Sequence, residues 1–352
     1  MAAEREVKMP NEIERLWQQE NIFKIAFNEQ KSCIKAVYDE AETILQSPPQ
    51  TPPEFQVKMA VVPEGFYTVR KNLFSTLFQS VYHLMGIPED RRLLYGKLNH
   101  LFRIWVTSAD NLLDHEDKIV VPIEIAGSSH VMRQVISIML ADRILKNIVD
   151  EATENQSISR EQGRLLTHKS LQILLPSAAE EASEEDGIIQ RPDAAYVLNT
   201  IHRLKTGLLF HLPFLGVETI EKEVNPEILL LCKQGLMDFG LGCQILDDIR
   251  DIDEDYLEAR HNYILSALYH EDPSLLRKLD GQSSVDYDAS NVFGLFPDVV
   301  RPAAEKAAGL LSEGLLALGS AGLGINKAAA VLLSFSMFET LGVGALTACL
   351  SV

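Results

Sequence analysis

The sequence predicts an all-α protein: a single-domain bundle of ten or more helices. Three observations support this. Apolar residues recur with the helical period through most of the chain, no segment alternates like a half-buried strand, and there is no internal repeat. A 46% hydrophobic content over 352 residues is enough for a sizeable core.

Residues 11–46 read as one long amphipathic helix, ended by the proline-rich stretch from Ser47 to Glu54. Helices follow at about 66–86, stopped by Gly86-Ile87-Pro88, and at 88–118, where Pro88 suits a helix start. Residues 129–150 and 158–175 continue the pattern. The acidic, glycine-broken stretch 176–193 reads as a surface loop. Helices resume at 193–216, 226–257 and 261–271. A polar loop at 280–292 precedes helices at 298–318 and 326–348. No boundary cuts the chain cleanly, so residues 1–55 are expected as an N-terminal helical extension packed on a domain of residues 56–352. The apolar stretch Ala328–Val352 contains Glu339 and two glycines and falls short of a clean membrane span, so a buried core helix is expected and no stable membrane insertion.

Lys and Arg total 32 against 50 Asp and Glu, a net charge of −18. That balance argues against nucleic acid, whose binders gather cations. The cysteines at 33, 232, 243 and 349 have no zinc or CxxC spacing and read as reduced, buried thiols of a cytoplasmic protein. The charged N-terminus lacks the apolar core of a signal peptide.

The acid excess is gathered twice. Asp110 and Asp114 are four residues apart, so on a helix they share a face, and Asp117 continues it. Asp247, Asp251 and Asp255 repeat that spacing over about 12 Å, with Asp248 beside them. Two such charges 6 Å apart repel by about 3 kcal/mol at an effective dielectric of 20. Two carboxylate-bearing helices that face each other would hold hard divalent cations, and Mg²⁺ would complete its shell with water and phosphate oxygens. A solvated acidic face is the alternative for either cluster alone. A di-iron centre needs two Glu-x-x-His motifs, and only Glu258 to His261 is present. Nucleophile elbows, Walker loops and GxGxxG fingerprints are absent.

These residues resemble the class I isoprenoid synthases: trans-prenyl diphosphate synthases, squalene and phytoene synthases, and class I terpene cyclases. The resemblance covers about residues 65–350. Asp110-Asn111-Leu112-Leu113-Asp114 is similar to the first aspartate motif, DDxxD, with Asn in second place. His202-Arg203-Leu204-Lys205-Thr206-Gly207 resembles the Lys-Thr element, whose lysine contacts diphosphate. Gln244 through Asp251 resembles QxxDDxxD. The same segment also fits the cyclase metal motif and, with Arg260, the RDxxED…R stretch of squalene and phytoene synthases. The resemblance implies a bundle around a central apolar cavity and up to three Mg²⁺ held by Asp110, Asp114, Asp247, Asp251 and Asp255. It implies a prenyl diphosphate contacted by Lys205, Arg260, Gln244 and Asp248, and a possible homodimer. Phe74, Phe78, Trp105, Phe210 and Phe239 are candidates for the cavity wall, or plain core.

Chain-elongating synthases bind a second, homoallylic diphosphate through a GGKRxRP-like motif and an Arg-Arg pair after the first aspartates. Here those positions read Glu64 to Lys71, with Arg70 for the last arginine, and Ile119-Val120. The acceptor site therefore reads as dismantled. The leading expectation is a Mg²⁺-dependent terpene synthase, a lyase that ionises one allylic diphosphate. The alternatives are a trans-prenyltransferase, by head-to-tail elongation or squalene/phytoene-type condensation, and a non-catalytic helical subunit. Arg103 is unexpected in a stretch that should be apolar.

Overall fold

In a computed structural model, residues 21–280 and 289–350 are described. The chain divides into two units. One comprises residues 20–172 and 212–224, and the other includes residues 173–211 and 225–352.

In the first unit, the helix Ile22–Ile44 begins at Asn21, whose side chain accepts the Lys24 N–H at 3.0 Å. It buries Phe23, Phe27, Cys33, Ile34, Val37 and Tyr38 along one stripe, the amphipathic pattern the sequence shows. That stripe packs on the helices Leu73–Leu84 and Glu89–Leu113. The expected start of the long helix, residues 11–20, lies outside the described residues. His130–Glu154 lies along Glu89–Leu113, and Arg160–Gln172 and Phe214–Ile220 complete the helices of the unit. A two-residue ribbon pairs Lys58–Met59 antiparallel with Ile123–Glu124.

Two helices are shorter than their apolar period suggests. The segment expected to be helical from residue 66 forms two 3₁₀ turns, and its α-helix starts at Leu73. The cause is Asn72, whose buried side chain donates to the Phe66 carbonyl at 2.7 Å and the Thr68 carbonyl at 2.9 Å. The helix expected to run to Lys118 ends at Leu113.

In the second unit, Pro226–Arg250 packs along most of Pro297–Leu318, which also packs on Lys327–Thr340. Glycines set the first pairing: a Cβ on Gly314 would lie 2.6 Å from the Gly235 carbonyl oxygen. Among the described residues, Pro226–Arg250 is the helix long and apolar enough to cross a membrane, and 56% of its most apolar stretch is buried. The acidic stretch read as a loop is instead a helix over Leu175–Glu184. Pro176 at its start and the alanines and glutamates after it are helix-forming. The segment 197–207 winds as two wide π turns, Val197–Ile201 and Arg203–Gly207. The expected loop at 280–292 falls partly outside the described residues, and Ala289–Leu295 is helical.

A carboxylate-rich candidate active site

Asp110 lies in the last turn of Glu89–Leu113, and Asp114 caps that helix, its N–H donating to the Asp110 carbonyl at 2.8 Å. Asp110 is half-buried and Asp114 exposed. Asn111 points inward and is 1% exposed. Its Nδ2 donates to the Lys118 carbonyl at 2.7 Å, and its Oδ1 accepts the Lys118 N–H at 3.3 Å. With this clamp in place the helix ends at Leu113 and residues 114–118 are not helical. Asp117, expected to extend the aspartate face, therefore leaves it and pairs with Arg133 at 2.6 Å. In the same unit, Arg103 donates from Nη1 to Asn72 Oδ1 at 3.0 Å. Burial lowers its pKa, with Tyr38 opposing, and among the described residues no carboxylate pairs with it.

The second cluster lies where Pro226–Arg250 gives way to Ile252–Leu257. The helix expected over 226–257 breaks at Asp251, yet the i,i+4 register survives. The Asp251 N–H donates to the Asp247 carbonyl and the Asp255 N–H to the Asp251 carbonyl, both at 2.9 Å. Arg250 grips the cluster. Its Nε donates to Asp251 Oδ1 at 2.7 Å, and its Nη2 reaches Asp251 Oδ2 at 2.5 Å and also Asp247 Oδ1. Burial pushes the Asp247 carboxyl up to about 6; Arg250 pulls it down, while Asp251 and Asp248 add to the rise. Asp255 is also raised, by burial and Asp248, although Asn262 donates to its Oδ2 at 2.7 Å.

Asp248, expected as a substrate contact, turns into the interior and is 2% exposed. Its Oδ2 accepts the Tyr263 N–H at 2.5 Å and lies 3.0 Å from His202 Nε2, and its Oδ1 accepts from Gln244 Nε2 at 2.9 Å. Gln244 also takes the Thr206 hydroxyl on Oε1. The Lys-Thr and Gln-x-x-Asp-Asp elements are thus tied together by side chains.

Lys205 lies against two residues of the acidic stretch, on the helix Leu175–Glu184. Its Nζ is 3.0 Å from Glu184 Oε1 and 3.1 Å from Glu181 Oε1. Burial disfavours its charge, but Glu184, Glu181 and Glu180 outweigh that and raise its pKa. The missed signal was the i,i+4 spacing of Glu180 and Glu184 behind Pro176. Arg260 lies 3.2 Å from Glu258 Oε2, and its carbonyl accepts from Arg191 Nη1 at 2.7 Å. Phe210 and Phe239 are buried together with ring centroids 6.2 Å apart, and Trp105 is tied to the Ile138 carbonyl at 3.0 Å.

The fold of the chain is similar to that of solved structures. A decaprenyl diphosphate synthase from Rhodobacter capsulatus superposes with a TM-score of 0.60 at 14% identity, covering 93% of this chain and 98% of that one. A geranylgeranyl pyrophosphate synthetase from Pyrococcus horikoshii Ot3 does so with a TM-score of 0.56 at 16% identity, covering 90% and 98%. One from the archaeon Geoglobus acetivorans gives 0.56 at 15%, with the same coverage. The chain has the isoprenoid synthase fold. No family model matches the sequence, and no curated protein matches it.

For an isoprenoid synthase fold, the resemblance implies bound Mg²⁺. The donor set fits a hard cation, being carboxylate oxygens throughout. Burial is the main cause of the raised pKa values of Asp247 and Asp255, and neighbouring aspartates add to the rise. Arg250 supplies one built-in positive charge and engages both oxygens of Asp251.

Proposed function

We propose that this chain is a Mg²⁺-dependent trans-prenyltransferase acting on an allylic prenyl diphosphate. The likeness to prenyl diphosphate synthases over nine-tenths of the chain supports this reading. The observation that carries it over cyclisation is Arg103. A half-buried guanidinium whose partner is an amide, with no carboxylate among the described residues, suits a second phosphorylated substrate. Asn72, which orients it, adjoins Arg70 and Lys71, in the segment where elongating synthases carry their homoallylic motif.

The residues divide the work as follows. Asp110 and Asp114, and Asp247, Asp251 and Asp255, supply carboxylate oxygens for Mg²⁺. Mg²⁺ held by these carboxylates would supply Lewis-acid neutralisation of the diphosphate leaving group. Glu181 and Glu184 hold the Lys205 ammonium in its charged form, and Lys205 and Arg260 provide fixed positive charge for phosphate oxygens. Gln244 and Asp248 position the helix that carries Asp247. Phe210 and Phe239 exclude water.

A second reading, the terpene cyclase, is favoured by the aliphatic residues where an arginine pair would follow the first motif: Ile119 is 51% exposed and Val120 is buried. Incubation with Mg²⁺ and allylic diphosphates of increasing length, with and without isopentenyl diphosphate, separates the two. Strict dependence on isopentenyl diphosphate is expected. A hydrocarbon or alcohol formed from the allylic substrate alone overturns the transferase reading, and no turnover under any condition points to a non-catalytic subunit.

A further inference from the structure

Among the described residues, one group of three metal-capable side chains brings its donor atoms within 4.8 Å of one another: Glu180, Glu184 and His261. Glu180 and Glu184 are one turn apart on the same face of Leu175–Glu184. His261 is delivered by the turn after Ile252–Leu257, where Ala259 takes φ 55° and reverses the chain. That turn is docked on the glutamate helix. The Ile188 N–H donates to the Ala259 carbonyl at 2.8 Å, and the His261 N–H donates to Glu184 Oε2 at 2.6 Å.

The unusual member is Glu180. It is 4% exposed, and neither carboxyl oxygen has a hydrogen-bond partner. The Nδ1 of His261 is likewise buried without a partner. A buried carboxyl left unbonded is costly, and native interiors rarely tolerate it. These two groups and the fully buried Glu184, whose oxygens take Lys205 and the His261 N–H, bring donor atoms within 4.8 Å of one another and describe an incomplete coordination shell.

We propose that Glu180, Glu184 and His261 form a site for one divalent transition-metal ion of the Zn²⁺ class, separate from the aspartate clusters. An imidazole with two carboxylates suits Zn²⁺ rather than Mg²⁺, which prefers oxygen throughout. Zn²⁺ lies about 2.0–2.2 Å from its N and O ligands, so a closure of about an ångström brings the three donors into its shell. Three protein ligands leave a position for water or for a substrate oxygen. Lys205, on Glu184 Oε1, joins this ion to the Lys-Thr element. The site does not depend on which reaction the aspartates serve.

The test is equilibrium dialysis of the full chain against Zn²⁺ in excess Mg²⁺, with bound metal measured by elemental analysis and apo-protein folding followed by circular dichroism. One Zn²⁺ per chain is expected. Glu180→Gln, which keeps the shape, should weaken binding at least tenfold. His261→Asn, at a half-buried position, should do the same. Asp247→Asn combined with Asp251→Asn should leave Zn²⁺ binding intact. Zn²⁺ that survives both of the first variants, that is lost with the aspartates, or that never binds overturns the proposal.

Discussion

His202 Nε2 lies 3.0 Å from Asp248 Oδ2, and the two side chains are 1% and 2% exposed. Asp248 also receives the Tyr263 N–H and the Gln244 amide, so one carboxylate fastens three segments of the unit. Truncating a buried charged hub leaves its partners unpaired and costs about 3–5 kcal/mol. Asp248→Ala is therefore expected to lower the unfolding free energy measured by urea titration by an amount of that order, with Asp248→Asn falling well short of it. A variant that keeps its stability but loses substrate affinity would return Asp248 to the role of a substrate contact.

Arg250 engages both oxygens of Asp251 and one of Asp247, so any cation reaching those oxygens must compete with a guanidinium. Arg250→Ala removes the competitor and leaves two like charges facing each other. Mg²⁺ should then bind about tenfold more tightly, a gain of about 1.4 kcal/mol. Calorimetric titration without substrate checks this; weaker binding would mean that Arg250 shapes the cluster rather than blocking it.

Asn111 stands where the sequence motif has a second aspartate, and the structure gives the reason. Its amide both donates to and accepts from the Lys118 backbone. A carboxylate can only accept, so it would face the Lys118 carbonyl unpaired. Asn111→Asp, although it restores the motif, should destabilise the protein by about 2 kcal/mol at neutral pH. Equal or greater thermal stability would contradict the clamp.

The helical period and the two aspartate clusters were legible because both depend on spacing within one element. The Pro226–Arg250 helix and Asp247 follow from that kind of signal. The side-chain clamps were not legible. Asn72 and Asn111 shorten helices whose apolar period runs on, because hydrogen bonding to a local carbonyl competes with the helix. Polar composition concealed Leu175–Glu184. Acidic residues read as solvated unless something buried pairs with them, and the partners of Glu184, Lys205 and the His261 N–H, lie 21 and 77 residues away. Arg103 became intelligible only with Asn72, 31 positions earlier.

Glu29 sets an acid limit on the first unit. Burial alone would raise its pKa, but hydrogen bonds from His83, Arg92 and Gln79 outweigh that and hold it down at about 2. A lowered carboxylate stabilises the fold fully above its unfolded pKa, about 4.5, and that contribution fades as the pH falls through about 2. The side chain is 12% exposed, so little is lost to solvent screening, and Glu29→Gln should cost about 2–3 kcal/mol at pH 7. Below about pH 2 the variant and the parent should converge. Denaturant titrations across that range decide it; a constant gap at all pH values would place the effect in packing.

Gly314 and Gly309 lie on the same helix and should respond oppositely to the same change. A Cβ on Gly314 would meet the Gly235 carbonyl oxygen at 2.6 Å and the Phe239 nitrogen at 2.8 Å, both backbone atoms that cannot rotate aside. Gly314→Ala must push Pro297–Leu318 off Pro226–Arg250, at a cost of about 3 kcal/mol. A Cβ on the exposed Gly309 meets nothing within 4 Å, so Gly309→Ala should gain about 0.5–1 kcal/mol through helix propensity alone. Because Pro226–Arg250 carries Asp247, the first variant should also lose Mg²⁺ affinity while the second keeps it. Paired melting curves and metal titrations test both halves, and equal behaviour of the two variants would remove the glycine contact as the element that fixes that helix.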